Sequence, residues 1–117
     1  MEKSHAVAAL AALAQDNRLD VFRLLVRAGK SGMPAGAVAS ALKLAPNTLS
    51  FHFDRLRQAG LVSCTRDGRS LIYAARYETM NDLLGYLTEN CCAGVADACA
   101  PAVCKPATSK KKTKVPA

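Results

Sequence analysis

Pro46 constrains this chain more than any other residue. It stands in Leu44-Ala45-Pro46-Asn47, between two stretches of helical periodicity, about 35–42 and 46–59. Proline lacks an N–H and has a fixed φ, so it suits the first turn of a helix and breaks the interior of one. A single long helix over these residues is excluded. Two short helices meeting at a tight corner remain. In the second, Leu49, Phe53 and Leu56 recur at i, i+4 and i+7 and form the stripe to be buried. Asn47, Ser50, Phe51, Asp54, Arg55 and Gln58 are left outward.

The flanking segments complete the pattern. Residues 5–15 read as an Ala-rich helix with Val7, Leu10, Ala11 and Ala14 on one face, small enough to let another helix approach closely. Asp16-Asn17 supplies capping chemistry for a helix over 17–28, with Leu19, Phe22 and Val26 buried, Val21 and Leu25 beside them, and Gly29 ending it. Lys30–Pro34 reads as a loop. Beyond Gly60, Leu61–Arg66 and Arg69–Ala75 are strand-like runs around Asp67-Gly68, the signature of a type I′ hairpin. A last helix is expected over 77–90, with Met80, Leu83, Leu84 and Leu87 on one stripe. The fold class is mainly α with a β-hairpin wing, a winged helix-turn-helix. Of the 117 residues, 1–92 form the domain and 93–117, rich in Ala, Pro, Thr and Lys without periodicity, a flexible tail. A domain this small buries a thin core and gains stability from a partner subunit.

Such a fold places its second helix in the major groove, with the exposed N-terminal residues toward base edges. Asn47 can pair bidentately with adenine, Thr48 and Ser50 can reach base or phosphate, and Arg55 can hold phosphate. Phe51 either contacts thymine methyls or closes the core. His52 either packs or touches a phosphate. Arg66 and Arg69, flanking the hairpin tip, suit phosphate or minor-groove contact. The partner implied is double-stranded operator DNA. The formal net charge of +7 agrees, although residues 91–117 carry +4 of it, from five lysines against Asp97. Lys110–Lys112 and Lys114 read either as a merely solvated basic tail or as a source of non-specific phosphate attraction.

Other classes fit poorly. A thiol phosphatase or arsenate reductase needs an arginine six residues after a cysteine, and Asp97 and Ala98 stand six after Cys91 and Cys92. No Gly-rich phosphate loop precedes a helix, so neither an enzyme nor an organic cofactor is expected. No run approaches the ~20 apolar residues of a membrane span. Glu2 and the amphipathic continuation through Arg18 and Asp20 argue against a signal peptide. A cytoplasmic setting, with reduced thiols, is expected.

Ala37 to Leu56, Gly60-Leu61-Val62, Arg66-Asp67-Gly68-Arg69 and Leu19 to Leu25 together resemble ArsR/SmtB-type metalloregulatory repressors, over roughly residues 5–90. The resemblance implies a homodimeric winged-helix repressor of the arsenic-responsive type, paired through its first and last helices, that leaves its operator when a metal or metalloid binds. Two familiar ligand sets are missing. Met33 to Leu42 has no Cys-x-Cys, and Thr79 to Asn90 has Asp82 and Glu89 but no histidine. Ala45 also replaces the Ser usual at the cap.

Attention moves to the thiols. Four of the five cysteines, Cys91, Cys92, Cys99 and Cys104, fall within fourteen residues. Adjacent Cα atoms are about 3.8 Å apart, so Cys91 and Cys92 can reach one ion. Gly94 permits a reversal that brings Cys99 back as third ligand, with Cys104 as substitute. Three thiolates satisfy As(III) or Sb(III) as inducer. Cadmium, lead, copper(I) and zinc stay open, as do thiol oxidation without metal and a constitutive DNA binder that ignores every signal. Cys64 reads as a small core residue.

Overall fold

The computed structural model describes residues 1–91. Cys92, Cys99, Cys104, the basic lysines and the tail expected over 93–117 lie outside the described residues. Met1–Tyr86 form one compact unit, and the chain from Leu87 belongs to a second. The elements run α1 (Lys3–Leu13), α2 (Asp16–Ala28), β1 (Met33–Pro34), α3 (Ala35–Leu42), α4 (Pro46–Gln58), β2 (Val62–Asp67), β3 (Ser70–Ala75) and α5 (Tyr77–Leu87).

The corner at Pro46 forms as its chemistry requires. Lys43 leaves α3 in the left-handed conformation, φ 56°, and Ala45 begins α4 without a side-chain cap. Pro46 then occupies the first turn of α4, where its missing N–H costs nothing. Leu49, Phe53 and Leu56 are buried on one stripe of α4, against Val21, Phe22 and Leu25 of α2, Val38 of α3 and Leu61. Each fully buried Leu or Phe stabilises the fold by about 1.5–3 kcal/mol.

Four expectations about the helices change. In α1 the core-facing residues are Ala6, Ala9 and Ala12, while Val7 and Leu10 are 58% and 43% exposed. The smallest residues face inward because they let α1 lie close to its neighbours, and the larger apolar ones are left outside. In α2 the buried set is Val21, Phe22 and Leu25, and Leu19 is exposed. Its cap is Gln15, whose Oε1 accepts from the Arg18 N–H at 2.9 Å, rather than Asp16-Asn17. α5 stops at Leu87, short of the expected Asn90. Asn90 has φ 57°, a left-handed residue that a helix cannot include.

The sheet holds one more strand than expected. β1 pairs antiparallel with β3, Met33 opposite Tyr73 and Pro34 opposite Ile72, giving the order β1-β3-β2. Pro34 is tolerated because β1 is an edge. Gly32, φ 75°, precedes it where a Cβ would run into the Tyr73 carbonyl oxygen. The β2–β3 hairpin pairs Asp67 with Ser70, so its two-residue loop is Gly68-Arg69. Positive φ occurs at Gly68 (64°) and not at Arg69, as in a type II′ rather than a type I′ turn. The three-stranded antiparallel sheet on a mainly helical body is a winged helix-turn-helix.

Candidate nucleic-acid interface

α4 turns its polar side to solvent. Asn47, Thr48, Ser50, Phe51, Asp54, Arg55 and Gln58 are all exposed. At 3.6 residues per turn, Asn47, Asp54 and Gln58 point directly away from the core, Ser50 leans to one flank and Phe51 and Arg55 lean to the other. Phe51 is 51% exposed, so it does not close the core. The Arg55 guanidinium lies over its ring, 5.0 Å from the centroid, a cation–π arrangement. Asp54 and Arg57 form an exposed i, i+3 ion pair at 3.8 Å.

Of the two roles expected for His52, packing or a phosphate contact, the structure shows packing. It is only 5% exposed, and neither ring nitrogen has a hydrogen-bond partner within the protein. Its edge meets Phe51, with ring centroids 5.8 Å apart. Burial, and secondarily the positive Arg18, hold its pKa below the ordinary 6.5. The imidazole is therefore neutral at neutral pH, and its burial favours the packed role over a phosphate contact.

The wing supplies the second set. Arg66, opposite Leu71 near the end of β2, and Arg69, in the loop, are exposed at the hairpin tip. The hairpin is tied to α4 through its base. Tyr73 of β3 stacks on Phe53 of α4, with ring centroids 3.6 Å apart and planes at 4°. Burial, and then a hydrogen bond with Cys64 on the neighbouring strand, raise the Tyr73 pKa above its usual value. Cys64 is half-buried and packs against the core as expected. Asn47, Ser50, Phe51 and Arg55 thus lie on one helix, and Arg66 and Arg69 on a hairpin fixed to it.

Sequence reasoning missed Arg18. Its backbone N–H serves the α2 cap, and its side-chain Nε–H donates to the Ala12 carbonyl at 2.6 Å, binding the end of α1 to α2. Nothing in the local pattern marks it, because its partners come from the preceding helix. Tyr77 was also missed. Its hydroxyl donates to the Val26 carbonyl at 2.7 Å and fixes the start of α5 to α2.

Among the described residues, no group of three or more His, Cys, Asp or Glu could hold a metal ion. Of the expected thiol ligands, Cys91 alone is described. It is half-buried, and its N–H donates to the Thr88 carbonyl at 3.0 Å. It follows the end of α5 rather than ending the helix. No described helix is long and apolar enough to cross a membrane.

An exposed polar helix beside an arginine-tipped wing defines a DNA-binding module. Residues 13–65 match the helix-turn-helix domain family. The chain is 34% identical over 77 residues to the HTH-type transcriptional regulator YceK of Bacillus subtilis, covering 65% of this chain and 76% of that protein. Solved structures share its fold. The ArsR-like transcriptional regulator of Rhodococcus sp. RHA1 superposes with a TM-score of 0.66 at 22% identity, covering 81% of this chain and 86% of that one. The homodimeric winged helix-turn-helix DNA-binding domain Mb0332 of Mycobacterium bovis gives 0.61 at 21%, covering 74% and 81%. The chain belongs to the HTH-type transcriptional regulators, a family of DNA-binding proteins and not of enzymes.

Proposed function

We propose that this regulator is a repressor that binds double-stranded operator DNA as a homodimer. Trivalent arsenic or antimony releases it by binding the thiolates of Cys91, Cys92 and Cys99, with Cys104 as the substitute third ligand. One observation carries the DNA-binding part. The outward stripe of α4, with Asn47, Ser50, Phe51 and Arg55, is moored through Phe53 and Tyr73 to a wing bearing Arg66 and Arg69. A helix in the major groove and a basic tip on the adjacent backbone is the division of labour such a body permits.

The homodimer is supported by α1. Its outer face leaves Val7 and Leu10 in water although a second copy could cover both, and the Mb0332 domain of the same fold is homodimeric. The inducer is supported by donor chemistry. Thiolates without histidine favour soft ions, and no described cluster offers an alternative site. Vicinal Cys91 and Cys92 follow α5 closely in sequence, so drawing Cys99 onto them would reorganise the chain at the end of that helix. Allosteric couplings of about 1–3 kcal/mol lower affinity by about 5–150-fold, enough to empty an operator. Thiolate ligands require reduced cysteines, which supports a cytoplasmic site of action.

The test is arsenite added to the reduced protein on a duplex that the protein itself enriches from a random pool, with zinc and peroxide in parallel. Release near one equivalent of arsenite, lost in a Cys91→Ser/Cys92→Ser variant that still binds the duplex, is the expected result. Release by peroxide or zinc alone would replace the metalloid with a redox or zinc signal. The same pattern of release in the double serine variant would move the site elsewhere.

A further inference from the structure

The two flanks of α4 are unlike. On one, Ser50 and Phe53 face Leu71 and Tyr73 of the wing strand β3. On the other, Phe51, Arg55 and Gln58 border an open groove of about 650 Å³, whose far wall is Ala8 and Ala12 of α1 and Arg18 at the start of α2. No carboxylate is among the described residues lining this groove.

Both guanidiniums are held in place by the protein itself. Arg18 is fixed through Nε–H to the Ala12 carbonyl, which leaves its terminal nitrogens available. Arg55 rests on the Phe51 ring. Two cations in one groove without an anion repel each other, and Arg18 also opposes protonation of the buried His52. An anion in the groove relieves that repulsion. The small side chains of Ala8 and Ala12 leave room for a sugar-phosphate strand rather than an isolated ion.

A helix lying in a major groove about 12 Å wide has a phosphodiester strand on each side. The wing arginines address one. We infer that Arg18 and Arg55 form a second phosphate-binding notch, on the α1–α2 side of the reading helix, which grips the opposite strand, with Phe51 as the seat for Arg55 rather than a reader of thymine methyls. The inference rests on the DNA-binding reading above and adds a strand contact to it. The notch contributes affinity without sequence preference, because a phosphate carries no base identity.

Salt dependence tests this directly. The full-length reduced protein, Arg55→Gln and Arg18→Gln/Arg55→Gln are titrated onto the self-enriched duplex and onto a scrambled duplex of equal length, from 50 to 200 mM salt. Each phosphate contact contributes about 0.9 to the slope of log affinity against log salt, so the slope becomes shallower by about 0.9 in the single variant and about 1.8 in the double. The affinity lost over that salt range falls by about 3.5-fold per contact removed, equally on both duplexes. Arg55 is exposed, so the single variant reads the contact without disturbing the fold; melting curves check Arg18→Gln, which also loses the bond to Ala12. Phe51→Leu weakens both duplexes alike. Slopes equal to wild type, or a loss confined to the enriched duplex, overturn the notch while leaving DNA binding in place. Wild-type protein that binds neither duplex overturns the DNA reading itself.

Discussion

His52→Leu should make this protein more stable, not less. The imidazole is almost fully buried in α4, and both ring nitrogens lack a hydrogen-bond partner within the protein. Leaving a buried donor or acceptor unmade costs about 1–3 kcal/mol. Leucine removes that cost, and the change of shape returns less than about 1.5 kcal/mol. At mid-range values, about 2 kcal/mol recovered against about 0.75 kcal/mol returned, the net gain is about 1 kcal/mol, and each kcal/mol moves Tm by about 4–8 °C in a domain of this size. The pH dependence has a definite sign. Burial, then Arg18, depresses the folded-state pKa, so the folded protein binds a proton less readily than the unfolded chain. The wild type therefore has its full stability above the unfolded value near 6.5 and loses it as pH falls through the folded-state pKa. Thermal melts of wild type and His52→Leu at pH 7.5 and 5.5 decide the matter. The variant should melt higher at both, with the gap wider at pH 5.5, and should keep its DNA affinity at pH 7.5. A variant that melts lower at pH 7.5, or a gap that narrows in acid, refutes the reasoning.

Three further outcomes are expected. Gly32→Ala combines a left-handed φ with a collision against the Tyr73 carbonyl, and denaturant melts should show a loss of about 2 kcal/mol or more. Tyr77→Phe removes the hydroxyl that donates to Val26 and should cost about 0.5–1.5 kcal/mol, read as a lower Tm with DNA contacts untouched. Val7→Asp/Leu10→Asp should give a folded monomer by sedimentation, since both side chains are exposed within one protomer; a persistent dimer would move the interface off α1.

Much of this architecture is legible because it is encoded locally. Pro46 breaks one helix and starts the next within four residues, and Leu49, Phe53 and Leu56 bury themselves at helical spacing. What escapes depends on partners distant in the chain. β1 is two residues long and contains a proline; only its pairing with Tyr73 and Ile72 makes it a strand. In α1, hydrophobicity ranks Val7 and Leu10 above alanine, yet close packing selects Ala6, Ala9 and Ala12 for the core. The hairpin turn moved by one residue, because Asp67 pairs with Ser70 and the loop becomes Gly68-Arg69. At the interface, the outward positions Asn47, Ser50, Phe51 and Arg55 follow from periodicity. The burial of His52 does not follow from the residue type, since histidine suits either a core or a phosphate.

The stack of Phe53 on Tyr73 has a consequence for the DNA. Because the wing is clamped to the reading helix at its base, the spacing between the two gripping elements is set before any duplex arrives. Little ordering entropy then remains to be lost on docking, and the adjustment falls on the nucleic acid. Steps that bend or narrow easily will be favoured at positions the protein never touches, and stiff ones rejected. On the proposed reading, selection among operators becomes in part a measurement of DNA elasticity, made with a caliper whose jaws are an α-helix and a β-hairpin.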